Sequence, residues 1–207
     1  MAAVKICGVT REQDAVLAAE CGAWAVGFVF AAESPRCVTI DRARGIASAL
    51  PATVQRVGVF IDAPVESILA ACRQVPLDLV QLHGPEPSDV CQRIGLGRCI
   101  KAVTLMSEES VARALAFDSV LLLADRPKTQ QGPVDLGLAR DVAKRRRMIL
   151  AGGLGPDNVA HAVGCVQPWG VDVSSGIESA PGIKDPAKLR AFCDAVRSAQ
   201  PVGGGIA

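Results

Sequence analysis

The chain has 207 residues, half of them apolar, with 22 basic against 21 acidic side chains and a formal net charge of +1. That length and apolar content suit one domain with a sizeable core, and a balanced, interspersed charge offers a polyanion no field to follow, so no nucleic-acid partner is expected. No apolar stretch reaches membrane-spanning length and no signal-like run follows a charged start, so neither membrane attachment nor export is expected.

Strand-like and helix-like patterns alternate from the start. Residues 4–7 (VKIC) read as a strand whose Val4 and Ile6 face one way while Lys5 and Cys7 face the other. A helix over 12–21 follows, closed by Gly22, then a strand over 24–30, a loop through Ser34-Pro35-Arg36 and a helix over 41–50. Next come the strand and helix pairs 55–61 with 65–74 and 79–83 with 88–94, punctuated by Pro51, Pro64, Pro76, Pro85 and Pro87. The second half repeats the scheme as 99–103 with 108–115, 119–124 with 135–144, 148–151 with 158–163, and 171–173 with 186–198. The basic run 144–147 ends one of these helices, where positive charge suits the C-terminus, and reads as a solvated helix end. The last helix is the most sharply marked. Asp185 can cap it, Pro186 suits its first position, and Leu189, Phe192, Cys193 and Val196 form one stripe. From Gln200 onward, with three consecutive glycines, a flexible tail is expected.

Eight strand and helix units in one chain imply a parallel sheet, and eight is the number at which such a sheet closes. The expected fold is therefore α/β, a single-domain (β/α)8 barrel over residues 1–199 with a tail over 200–207. A doubly wound open sheet is the alternative, disfavoured because no G-x-G-x-x-G follows the first strand.

The eight cysteines, at 7, 21, 37, 72, 91, 99, 165 and 193, include no C-x-x-C pair. Neither a zinc site nor a disulfide framework is indicated, and reduced thiols point to a cytoplasmic protein.

In a parallel α/β fold chemistry belongs at the C-terminal ends of the strands. Lys5 and Cys7 share one phase of the first strand, Gln81 and His83 share a phase of the fourth, and Asp172 and Ser174 share a phase of the eighth. Three strands ending in polar groups of one phase imply a polar pocket. Two neighbouring glycine-rich turns, AGGLGPDNV (151–159) and DVSSGIES (172–179), let backbone approach a ligand and can aim amides at a phosphate. Arg36, just after Pro35, has the forked geometry that suits a carboxylate.

Taken together, VKICGVT, GFVF with SPR, VGVF, VQLHG, KAV, LAGGLGPDNV and DVSSGIES followed by PGIKDP resemble the phosphoribosylanthranilate isomerases, (β/α)8 enzymes of tryptophan biosynthesis, in order and over almost the whole chain. The resemblance implies an Amadori rearrangement of N-(5-phosphoribosyl)anthranilate, which needs an acid for the ring oxygen and a base for the proton on C2. It assigns the base to Cys7 and the anthranilate carboxylate to Arg36, and it places Asp172 in the pocket. Gly152, Gly153, Ser174, Ser175 and Gly176 would hold the phosphate. Lys5 would sit with the substrate and lower the thiol pKa, though only indirectly. His83, in the family's QLHG, would also line the site, with a structural hydrogen bond favoured over catalysis.

The sixth strand departs from the family pattern: VLLLADRPKTQQGPVDLG lacks the family's double glycine, and Val134-Asp135-Leu136 stands where F-D-W would be. Asp125 is the nearest candidate acid but falls one residue late, so a bulge is expected to turn it into the pocket. Two alternatives remain open: a phosphate-binding paralogue that has lost the isomerisation, and the related histidine-pathway isomerase, which typically has aspartate where Cys7 stands. No metal or redox cofactor is implied. The expected partner is a small phosphorylated sugar, and the expected state is a monomer or homodimer.

Overall fold

Eight parallel strands close into a barrel in chain order in the computed structural model, which describes residues 1–119, 121–126 and 134–199. The strands are β1 (Ala3–Ile6), β2 (Ala25–Val29), β3 (Gln55–Phe60), β4 (Leu79–Leu82), β5 (Cys99–Thr104), β6 (Leu121–Asp125), β7 (Met148–Leu150) and β8 (Gly170–Val173). The helices that follow them are α1 (Glu12–Glu20), α2 (Ile40–Ala49), α3 (Val65–Gln74), α4 (Ser88–Ile94), α5 (Glu108–Leu115), α6 (Leu136–Ala143), α7 (Val159–Val166) and α8 (Pro186–Ser198). Between β8 and α8 lies a small antiparallel hairpin, β9 (Glu178–Ala180) with β10 (Ile183–Lys184). The expected barrel is thus present. The tail over 200–207, residue 120 and the part of the sixth loop over 127–133 lie outside the described residues.

Strand alternation sorts side chains into two shells. Val4, Ile6, Val26, Phe28, Val80, Leu82, Leu122, Ala124, Val171 and Val173 point outward and pack under the helices. Ala25, Val29, Val57, Val59, Leu79, Ile100, Leu121, Leu123 and Ile149 fill the lumen. With both faces covered, the strands read as nearly continuous apolar runs. Local signals also hold. Asp185 accepts hydrogen bonds from the Ala187 and Lys188 amides at 2.9 and 3.0 Å, and Gly22, just past α1, has φ of +77°.

Two expectations fail. Cys91 on α4 and Cys99 at the start of β5 form a disulfide, with Cα atoms 5.7 Å apart. A short turn over Leu96–Arg98 doubles the chain back between them, a proximity that no spacing motif encodes. The basic run 144–147 is also more than a solvated helix end. Arg146 donates to the carbonyls of Leu115, Phe117 and Ser119 at 3.1, 3.0 and 2.8 Å, and Arg147 lies 4.4 Å over the Trp169 ring. Among the described residues no helix is long and apolar enough to cross a membrane.

The loop after β4 is held by an inward-turned carboxylate. Glu86 accepts from the Asp62 amide at 2.8 Å and from the Gly84 amide at 2.9 Å, and it pairs with Lys101 of β5 at 2.8 Å. Both charged side chains are almost fully buried. Replacing Glu86 by Leu strands that cation, and the unfolding free energy should fall by about 3 to 5 kcal/mol. Urea unfolding would show this as a lower midpoint at unchanged slope, with part of the loss restored by adding Lys101→Met. An unshifted midpoint in the single variant would mean that the pair contributes nothing.

Candidate active site

Lys5 and Asp172 are register partners on the first and last strands, and both point into the lumen. The ammonium is fully buried and meets the carboxylate at 2.9 Å. Burial alone would lower the Lys5 pKa, but Asp172 and the neighbouring Cys7 thiol more than reverse it, so Lys5 stays protonated above its ordinary value. Cys7 stands one residue past the end of β1, where its amide donates to the Val173 carbonyl at 2.8 Å. Burial pushes its thiol up, Lys5 pulls it down, Asp172 pushes it up and Lys184 pulls it down, with a net shift upward. The expectation that Lys5 acts only indirectly is therefore corrected. Two residues apart on a strand means one face, so the ammonium and the thiol share the lumen side and the cation's charge acts on the sulfur without an intermediary.

Asp125 reaches the same cavity without a bulge. Strand β6 pairs with β5 in unbroken register through Thr104 and Asp125. Leu121 and Leu123 face the lumen while Leu122 and Ala124 face the helices, so Asp125 falls in the lumen phase by plain alternation. One carboxylate oxygen accepts from the Arg126 amide at 2.8 Å, and the other lies 3.2 Å from Nε2 of His83. Gln81 Nε2 lies 2.9 Å from His83 Nδ1. If the amide donates there, the ring's proton sits on Nε2 and is directed at Asp125. The Gln81 carbonyl oxygen is buried without a partner among the described residues. His83 thus pairs through Nδ1 with Gln81, which also lines the pocket.

Arg36 is already engaged. Its Nε and Nη2 donate to the two oxygens of Glu178 at 2.9 and 2.7 Å, one edge of the fork against one carboxylate. The opposite edge has no partner among the described residues, and the side chain lines the cavity. That cavity, about 330 Å³, is bounded by Cys7, Arg36, Gln81, His83, Asp125 and Asp172. A second hollow of about 180 Å³ adjoins it, sharing Asp125, Asp172 and Ser174 and walled by Gly152, Gly153, Ser175 and Gly176. The amides of Gly152, Gly153 and Gly176 donate to no acceptor among the described residues. Gly152, at φ of +85°, could not carry a side chain, since a Cβ there would lie 2.8 Å from Asp125 Oδ1. Among the described residues no group of three His, Cys, Asp or Glu side chains is arranged to hold a metal.

A sequence model of the family described as N-(5'phosphoribosyl)anthranilate (PRA) isomerase matches residues 4–195. The chain belongs to this isomerase family. It is 45% identical to the N-(5'-phosphoribosyl)anthranilate isomerase of Geotalea uraniireducens, covering 93% of this chain and 97% of the relative. The enzyme of Pseudomonas fluorescens is 44% identical, again with 93% and 97% covered. A crystal structure of the isomerase from Thermotoga maritima superposes with a TM-score of 0.90 at 40% identity, over 95% of this chain and 99% of that one. Another structure of the family, in complex with reduced 1-(o-carboxyphenylamino)-1-deoxyribulose 5-phosphate, superposes at 0.87 with 41% identity and the same coverage.

Three residues that shape this isomerase site escape a reading by motif. Glu178 and Lys184 sit in DVSSGIES and PGIKDP, stretches that mark the family without showing which side chains turn inward. Gly27 interrupts the apolar run of β2, and a strand glycine signals close approach of another group. A Cβ on Gly27 would lie 3.0 Å from the Cys7 sulfur and 3.3 Å from the Lys5 nitrogen. Gly27→Ala should therefore cost turnover about tenfold by displacing the thiol while shifting the thermal midpoint little. Equal turnover in the alanine variant would mean that the sulfur needs no such clearance.

Proposed function

We propose that the chain converts N-(5-phosphoribosyl)anthranilate into 1-(2-carboxyphenylamino)-1-deoxyribulose 5-phosphate for tryptophan biosynthesis, with Cys7 as general base and Asp125 as general acid. The observation that carries this reading is that sulfur and carboxyl line one cavity that opens into a glycine-walled hollow of phosphate size. A family member has been crystallised with the reduced form of that product, which has the same carboxylate, pentose and phosphate ends.

In this reading the phosphate rests on the amides of Gly152, Gly153, Ser175 and Gly176 with the Ser174 and Ser175 hydroxyls nearby, and the free edge of Arg36 receives the anthranilate carboxylate. Asp125 delivers its proton to the ring oxygen as the bond from that oxygen to C1 breaks, and the anthranilate nitrogen's lone pair closes a C=N bond. The Cys7 thiolate then takes the proton from C2, and the C–H electrons run into the C=N bond to give an enolamine. Loss of the enol proton and protonation of C1 complete the ketone. Cys7 ends protonated and Asp125 ionised, so the cycle closes when the thiol releases its proton and the carboxylate regains one. His83, partly exposed and 3.2 Å from Asp125, is placed to pass that proton on. Lys5 offsets the thiolate charge, and Asp172 keeps Lys5 in place.

The residues of this site come from one chain, so the reading requires no partner subunit, and monomer and homodimer both accommodate it; a Thermotoga maritima relative is described as dimeric. Six free cysteines against one disulfide fit a reducing compartment, and we place the protein in the cytoplasm.

Cys7→Ala and Asp125→Ala should each lower kcat by about 10²- to 10⁴-fold with the fold intact by circular dichroism. Full turnover of freshly made substrate by the aspartate variant would remove Asp125 as the acid. The thiol titration has a defined sign. The base works deprotonated, and burial holds the Cys7 thiol above its ordinary value, so the pH midpoint of Cys7 alkylation should lie on the alkaline side of a free thiol, whose usual pKa is about 8.5. A midpoint well below that would contradict the upward shift.

A further inference from the structure

Lys184 on β10 is fully buried, and its Nζ donates to the Cys7 carbonyl at 2.6 Å, the Ser174 carbonyl at 3.2 Å and Glu178 Oε1 at 2.8 Å. Its own amide donates to Asp14 of α1 at 3.1 Å, and Arg11 holds that carboxylate from the other side at 2.7 Å. The ammonium is therefore anchored at both ends of its residue. Glu178, at the start of β9, takes Lys184 on one oxygen and Arg36 on both. Burial would push the Glu178 carboxyl up, but the hydrogen bonds from Arg36 and Lys184 outweigh it and hold the group below the usual carboxylate range. The anion thus joins two cations, one touching the backbone of the proposed base and the other lining the proposed carboxylate pocket.

We propose that Lys184 and Glu178 are positioning residues for the reaction: Lys184 fixes the main chain of Cys7 and gives its thiol a second positive neighbour, while Glu178 orients Arg36 and sets how much of both cations' charge the thiol feels. This rests on the reading of Cys7 as base and Arg36 as carboxylate binder. The charged groups acting on the thiol are Lys5 from β1, Asp172 from β8, Lys184 from β10 and Arg36 from the loop after β2. Two of these four sit on Glu178. Removing the Lys184 charge takes away a cation and makes the thiol harder to ionise. Removing the Glu178 charge leaves two cations uncompensated, which makes the thiol easier to ionise and lets the guanidinium swing. The two substitutions therefore move one titration in opposite directions, which a purely structural role would not do.

The test uses the full chain and two readouts: the pH dependence of Cys7 alkylation by iodoacetamide, followed by mass spectrometry of the Cys7 peptide, and kcat and KM with fresh substrate. In Lys184→Met the alkylation midpoint should rise by about half a pH unit or more, and Lys184→Arg, which keeps the charge, should hold it near the parent value. In Glu178→Gln the midpoint should fall, and KM should rise about threefold or more as Arg36 loses its brace. An unmoved midpoint in folded Lys184→Met, or a rise in Glu178→Gln, would overturn the proposal. Should Lys184→Met fail to fold, Glu178→Gln decides alone: a lowered midpoint with raised KM supports the proposal, and parent values of either quantity reject it. Alkylation needs no turnover, so this outcome is separate from that of the reaction itself, whose failure would show as unimpaired turnover in Cys7→Ala.

Discussion

The ion pair between Lys5 and Asp172 is the constraint on which the rest of the site depends. Strands β1 and β8 are the first and last of the barrel, and the pair lies across the seam where the sheet closes. A buried ammonium costs several kcal/mol in desolvation unless a partner meets it with good geometry, and the carboxylate at 2.9 Å supplies that partner. A slip of one residue at the seam would turn Lys5 out among the helix-packing side chains and leave Asp172 alone in the lumen. The pair is thus better understood as setting register than as adding net stability. The same register puts Cys7, two residues on, at the mouth of the lumen.

From that seam the site builds outward in layers. Below the polar level the lumen is plugged by Ile100, Leu121, Leu123 and Ile149, all nearly inaccessible, so charges above it act in a poorly screened setting. At the polar level four of the eight strands contribute: Cys7 after β1, Gln81 and then His83 at β4, Asp125 at the end of β6, Asp172 in β8. Above it, loops close on the cavity through contacts that only glycine permits. A Cβ on Gly176 would come 2.0 Å from the Leu154 carbonyl, so the two loops that wall the phosphate-sized hollow touch backbone to backbone.

The barrel was legible because strand alternation and helix caps are local properties, and each of the sixteen main elements carries its own pattern. The pocket phase was legible for the same reason: Lys5, Cys7, Gln81, Asp172 and Ser174 are spaced by two within short strands. Asp125 shows where comparison with a family pattern misleads. Counted against the usual motif it falls a residue late, whereas counted along its own strand from Leu121 and Leu123 it is in phase. The contacts of Arg36 with Glu178 and of His83 with Asp125 join residues 142 and 42 positions apart in the numbering, and no periodicity within an element foretells such partners. The disulfide between Cys91 and Cys99 escaped for a related reason, since it depends on the path of one short turn.

The net upward shift of the Cys7 thiol suits the base proposed above better than it would suit a nucleophile. A group that must remove a proton from carbon gains from higher basicity, provided enough of it is ionised near the working pH. Burial supplies the basicity by disfavouring the thiolate, and Lys5 and Lys184 limit the cost by offering it positive neighbours. Asp172 works against them at the thiol, yet without it Lys5 would lose its counter-ion and the tendency of a buried lysine to shed its charge would prevail. The pairing of a buried thiol with two buried lysines is therefore one arrangement, in which each cation offsets part of the cost of ionising a sulfur that is mostly enclosed.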